Sequence, residues 1–188
     1  MGYLPGVDAL ERALGAFRLG DLELDRPFLL AINSSAVDPS RAPSGRHTLK
    51  LIGIAPYALR QGPLAWDGMK EEVGRRLLSR FLSLTTDLDA SDVLAERLES
   101  PLDLERRNRN NFRGSGHGGA SDFGQYGHFR PAPALSGYRA PVARLYLTGS
   151  TSHPGGSVSG FPGRNAALAV LEDLGIQLED VVRRLRGA

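Results

Sequence analysis

A chain of 188 residues with 41% hydrophobic and 23% charged residues has the composition of an ordinary soluble globular protein, long enough to bury a real core. A net charge of +2 gives no nucleic-acid signature, and with no cysteine there is no disulfide, thiolate metal site or thiol nucleophile. No apolar run nears the roughly eighteen residues of a membrane span, the opening Met1-Gly2-Tyr3-Leu4-Pro5 is no signal peptide, and a cytoplasmic location is the default expectation. Among 23 basic residues only Lys50 and Lys70 are lysines, a bias we attribute to genome composition.

In chain order, the pattern predicts a helix over 7–19. Asp8 and Glu11 form a capping box, Val7, Leu10, Leu14 and Phe17 make its apolar stripe, and Gly20 stops it. Strands are expected over Pro27–Asn33 and His47–Ala55, apolar on both faces and so covered on both sides, with a turn-rich connector between them. Trp66 to Leu84 carries the clearest helical stripe, with Met69, Val73, Leu77 and Phe81 at steps of three and four. Gly74 inside it costs about 1 kcal/mol relative to alanine, which such a stripe tolerates. A short strand over Val93–Leu98 and a helical turn over Leu102–Arg107 follow. A last helix is expected over Leu178–Leu185.

Between these halves, Arg106 to Arg113 and the glycine-rich stretch to Pro131 have an RGG-like composition suited to single-stranded nucleic acid. The stretch lies between structured halves, and nucleic acid is not the expected partner. Gly114, Gly116 and Gly119 match a bare G-x-G-x-x-G, but no apolar strand precedes them. Gly156-Ser157-Val158-Ser159-Gly160 places valine where a nucleophile elbow needs serine. His47, His117, His128 and His153 show no metal spacing, so no metal is expected, and no general acid or base is identified.

The most informative stretch runs from Leu145 to Ala167. It reads as a strand over Leu145–Leu147, a glycine-rich turn, and a helix carrying Ala166, Ala167, Val170, Leu171 and Leu174. Such a turn offers backbone N–H groups and a positive dipole end to a phosphate or a flavin carbonyl edge. The string L-Y-L-T-G-S-x-x-H-P-G-G-x-V-x-G-x-x-G-R-N-A-A over Leu145–Ala167 resembles the closing motif of the phytoene desaturase, carotenoid isomerase and retinol saturase-like flavoproteins. The pyridine nucleotide-disulfide oxidoreductase domain-containing proteins belong to the same family. Val37 to His47 resembles the family's D-P-S-x-A-P-x-G-K-H, and Pro101 to Arg106 its T-P-x-D-L-E-R, with Ser100 in place of threonine.

The resemblance implies an α/β fold: the C-terminal fragment of a two-domain FAD-dependent oxidoreductase, with a mostly antiparallel substrate-domain sheet flanked by helices. Residues 1–140 would be the substrate-domain portion and 141–188 the last strand and helix of the FAD domain. It implies that Gly149, Ser150, His153, Pro154, Gly155, Gly156, Ser157 and Val158 face FAD. His117, Tyr126, His128 and Arg130 would lie on the substrate-side loop. The nucleotide-binding βαβ unit is missing, so the chain is expected to be a split half, a shortened chain or a relic. FAD would be shared with a Rossmann-type subunit or held across a homo-oligomer, and the substrate would be a small apolar molecule. The competing expectation is a non-catalytic binding protein that keeps the fold and has lost FAD.

Overall fold

The computed structural model describes residues 2–3, 6–120, 122–156 and 158–187. The chain divides into two compact units, Met1–Arg107 and Asn108–Ala188. Among the described residues there are three strands and five α-helices, an α/β fold with a small antiparallel sheet.

In the first unit the sheet runs in the order β1 (Gly2–Tyr3), β2 (Leu29–Ile32), β3 (Lys50–Ile52). Both pairings are antiparallel, with Leu30 opposite Ile52 and Ala31 opposite Leu51. The strands are shorter than the apolar runs that announced them. Coverage on both faces is not what forms in this unit. Leu29 and Ala31 are buried against Phe81, while Ile32 stays 40% exposed, the alternation of a sheet packed on one side. The connector winds through short 3₁₀ turns at Ser34–Ala36 and Pro39–Arg41, whose N–H groups are taken by the side chains of Asn33 and Asp38.

Helix α1 (Val7–Arg18) forms where its pattern places it, but its cap and buried line differ. Gly6 is the N-cap, and Asp8 sits in the first turn, paired with Arg12 and Arg26. Ala9 and Ala13 are buried, while Val7, Leu14 and Phe17 are largely exposed. The small side chains let the helix lie close, and the larger ones fall to its flanks. At Gly20, φ is 74° and a Cβ would stand 3.0 Å from the backbone of Ala58–Arg60, so the turn requires glycine there.

Helix α2 (Trp66–Leu82) is the spine of the unit. Trp66 and Val73 join Leu59 and Leu102 in one buried cluster, Phe81 joins the sheet in another, and Leu77 packs against both. The Trp66 indole N–H is shared between the carbonyls of Pro56 and Tyr57, each at 3.1 Å. Val93–Leu98 forms no strand and pairs with none of the described strands. Its Leu98 instead packs on Gly74, where a Cβ would come within 2.4 Å of Leu98 Cδ2. Helix α3 (Pro101–Arg107) begins with a reciprocal capping box: the Asp103 N–H donates to Ser100 Oγ, and the Asp103 carboxylate accepts from the Ser100 N–H. Lys70–Asp103 and Arg106–Asp67 ion pairs tie α3 to α2.

The second unit has α4 (Phe161–Asp173) and α5 (Leu178–Leu185), with most of its remaining backbone in loops and 3₁₀ turns. The strand expected over Leu145–Leu147 reduces to one antiparallel bridge between Arg139 and Tyr146. Ala140 and Leu147 N–H groups donate to the Leu145 and Tyr138 carbonyls to complete this narrow hairpin. A strand needs a neighbour along its length, and here the neighbouring backbone reaches only from 138 to 140. Helix α4 buries Pro162, Ala166 and Ala169, whereas Ala167 and Leu174 face outward. No described helix is long and apolar enough to cross a membrane.

Candidate functional site

The turn from Gly149 to Gly156 is held by a side chain far from it in sequence. Arg130 is only 5% exposed, and its guanidinium donates to four backbone carbonyls. Nη1 donates to Ser150 at 2.8 Å and to Gly118 at 3.3 Å, Nη2 to Ala120 at 2.7 Å, and Nε to Gln125. Among the described residues no carboxylate pairs with it. Burying a cation is costly unless its donors are satisfied, and a planar five-donor fork suits several carbonyls at once. Arg130 therefore staples loop 118–125 to the turn. It was expected on the substrate-side loop, and the structure places it inside, spent on backbone.

Packing follows the staple. A Cβ on Gly118 would stand 2.6 Å from Thr151 Cγ2, and one on Gly156 would stand 3.1 Å from His117 Nδ1 and 3.2 Å from Ser150 Cβ. Gly155 is buried, with a Cβ position 3.7 Å from Arg130 Nη1. The His128 and His153 rings stack with centroids 4.2 Å apart and planes 14° apart. His153 Nδ1 is buried with no hydrogen-bond partner. The His153 carbonyl accepts from the Tyr138 hydroxyl at 3.0 Å, which itself accepts from Asn165 Nδ2 of α4 at 2.8 Å.

The structure thus brings together His117, His128, Arg130, Ser150, His153, Gly155 and Gly156. Tyr126 is 67% exposed, Pro154 is exposed, and Val158 is fully exposed at φ 57°. Ser157 lies outside the described residues. Sequence reasoning did not find Gly118, Ala120, Gln125, Tyr138 or Asn165. Three of these act through backbone carbonyls, which carry no residue-type signal.

A second anchor lies at the far end of α4. Arg139 donates to Asp173 at 2.8–3.0 Å, to Glu172 at 2.7 Å and to the Ala169 carbonyl at 3.2 Å. The Tyr146 hydroxyl donates to Asp173 at 2.7 Å. Hydrogen bonds from Arg139 and then Tyr146 hold the Asp173 carboxyl below its ordinary value. The bond to Asp173 raises the Tyr146 phenol above its own. These contacts fasten the hairpin to α4.

The fit of a flavin edge to this turn is set by which glycine faces are open. Helix α4 starts at Phe161, so positions 155–158 precede it rather than form its first turn. Its Phe161 N–H is taken by Ser159 Oγ, Pro162 has none, and the Arg164 N–H bonds the Gly160 carbonyl, which leaves the Gly163 N–H as a first-turn donor. Gly155 and Gly156 are packed by this chain's own Arg130, His117 and Ser150. Among the described residues, Gly149, at φ 94°, and Gly160 have nothing within 4 Å of a Cβ position, and Gly163 meets only Thr148 Oγ1 at 4.0 Å. The backbone faces this chain leaves uncovered are therefore those of Gly149 and the start of α4. The described strands contain no parallel βαβ unit to hold a dinucleotide's pyrophosphate.

The chain is similar to known proteins over most of its length. The chain is 36% identical over 160 residues to pyridine nucleotide-disulfide oxidoreductase domain-containing protein 2 of Rattus norvegicus, covering 82% of this chain and 26% of that protein. It is 30% identical over 146 residues to a limonene dehydrogenase subunit of Castellaniella defragrans, covering 76% and 26%. It is 31% identical over 118 residues to the zeta-carotene-forming phytoene desaturase of Myxococcus xanthus, covering 63% and 22%. The chain thus spans about a quarter of the length of these curated relatives. No protein-family model and no solved structure matches it. Over most of its length the chain is thus homologous to about a quarter of each of several proteins named as oxidoreductases, among them a dehydrogenase subunit and a phytoene desaturase.

Proposed function

We propose that this chain supplies the substrate-domain portion and one flavin-facing turn of an FAD-dependent oxidoreductase. It works with an FAD-binding half, carried by a separate Rossmann-type subunit or an adjoining segment. Residues 1–140 serve the substrate side in this reading, and 141–188 return to the flavin. The observation that carries it is the turn at 149–156, fastened by Arg130 and bare at Gly149. A relative whose name makes it one subunit of a dehydrogenase supports the two-part assembly. The apolar substrate class, transformed by desaturation, saturation or isomerisation, rests on the names of the limonene and phytoene enzymes.

Gly149, Ser150 and Gly163 would meet the flavin edge, with His153 held by its carbonyl to Tyr138. When bound, FAD supplies the hydride chemistry. The protein's own groups do less: Arg130 keeps the turn in shape, and the α4 N-terminus presents a donor with a favourable dipole.

The test has two arms. Equilibrium dialysis of the isolated chain should show weak FAD binding or none, because one helix terminus replaces only a fraction of a pyrophosphate site. The assembly purified natively through a tag on this chain should release FAD on acid precipitation. Gly163→Val should lower that flavin content while leaving the melting temperature of the flavin-free chain within a few degrees, since Gly163 is helical and among the described residues a Cβ there meets only Thr148 Oγ1 at 4.0 Å. A native assembly without flavin, or sub-micromolar FAD binding by the chain as a monomer, overturns the reading.

A further inference from the structure

In the first unit, the C-terminal half of α2 borders a shallow, open cleft of about 460 Å³ lined by Asp25, Arg75, Arg76, Ser79, Arg80 and Ser83 among others. Helical spacing sets Arg75, Ser79 and Ser83 in one row and Arg76 and Arg80 in the next, so five donor side chains share one face. Arg75 is paired with Glu72, and Arg76 with Asp25 at 2.6 Å. Both pairs are solvent-exposed, and exposed pairs of this kind hold by little, so these guanidiniums exchange partners readily.

Arg80 differs. Its Nη2 donates to the Tyr3 hydroxyl at 2.6 Å, its Cζ lies 5.1 Å from the Tyr3 ring centroid, and Nη1 reaches Ser83 Oγ at a long 3.4 Å. Its Nε is buried with no hydrogen-bond partner. Among the described residues it forms no ion pair. Arg80 is therefore a cation oriented by neutral groups; its buried Nε is out of a ligand's reach, and the second hydrogens of Nη1 and Nη2 are the donors it has left beside two more guanidiniums.

We propose that this cleft is an oxyanion site that takes a phosphate or phosphate-ester group. The fork geometry of arginine matches two phosphate oxygens at once, and the Ser79 hydroxyl adds a neutral donor, whereas Ser83 Oγ already donates to the Arg80 carbonyl at 2.7 Å. Asp25 stands at the rim with its side chain 86% exposed, so it swings aside when Arg76 turns to the anion. The C-terminal dipole of α2 favours a cation near its last turn, which accounts for one arginine there. It does not account for the neutral partners of Arg80 or for the serine row. That dipole amounts to about half a negative charge; with Arg75 and Arg76 paired to Glu72 and Asp25, the charge of Arg80 is the excess that outweighs it. The site is independent of the flavin reading.

Pyrophosphate titrated into the isotope-labelled full chain tests it by amide chemical shifts. Saturable shifts concentrated at 76–83 are expected, with sodium chloride at equal ionic strength producing none. Arg80→Gln should weaken binding by about tenfold or more, the loss of a charge-assisted contact. Arg76→Gln, at an exposed position, should weaken it without altering the melting temperature, and it decides the matter if Arg80→Gln does not fold. Co-sedimentation with vesicles of phosphatidylglycerol in phosphatidylcholine separates a lipid headgroup from a free phosphate compound as the natural source. Non-saturating shifts spread over surface arginines, or unchanged affinity in the folded variants, overturn the proposal.

Discussion

Arg130 Nη1 donates to the Ser150 carbonyl at 2.8 Å across twenty positions of sequence, and this bond joins the glycine-rich loop to the turn before α4. The same guanidinium reaches Gly118, Ala120 and Gln125, so one side chain sets the relative placement of two segments that have almost no regular structure. Arg130→Met should leave these carbonyls without their donor and cost about 3 kcal/mol. Arg130→Lys should recover little, because an ammonium on a flexible stem does not span carbonyls on both sides of a planar fork. Chemical denaturation checks the magnitude, and amide exchange over 118–130 and 149–153 should speed up in both variants.

The Arg139–Asp173–Tyr146 group gives the second unit a dependence on pH at both ends of the scale. Asp173 has a folded pKa below its ordinary 3.8, so its contribution is fully present above that value and is lost as pH falls through the depressed one. Tyr146 is raised above 10.0, so its contribution is present below that value and is lost as pH rises through the raised one. Asp173→Asn should flatten the acid side. It should also bring the Tyr146 titration, followed by ultraviolet absorbance, back toward the ordinary phenol range.

Gly74→Ala reverses the expectation from helix propensity. In an open helix the change gains about 1 kcal/mol, but here the new methyl would stand 2.4 Å from Leu98 Cδ2 and 3.1 Å from its Cγ. The variant should lose about 1–3 kcal/mol as Leu98 is forced aside. Introducing Leu98→Ala into that variant should cost less than Leu98→Ala in the wild type, a coupling that a double-mutant cycle reads directly.

Trp66→Phe keeps most of the buried ring volume but leaves the Pro56 and Tyr57 carbonyls without the indole donor. A loss of about 1–3 kcal/mol is expected. In the wild type Trp66 is the only tryptophan, so its fluorescence follows unfolding of the first unit alone. Comparing that transition with the far-ultraviolet circular dichroism shows whether the two units melt together.

The helices were legible in the sequence because their signals are local. Leu178–Leu185 forms with the bounds its stripe indicates, α2 begins at Trp66, and α3 opens at Pro101, whereas the capping box read at Asp8 and Glu11 does not form because that helix starts from Gly6. Apolar spacing over a few turns needs no distant partner to be read. The tertiary structure decided everything that depends on a neighbour. Leu145–Leu147 has the composition of a strand, yet it forms a single bridge because only 138–140 lies beside it. Val93–Leu98 is likewise unpaired, and α1 turns its alanines inward rather than its larger stripe. Arg130 reads as one arginine among many in a polar loop, and only the fold makes it a staple. Its partners are backbone carbonyls five to twenty positions away, and a carbonyl is the same group on every residue.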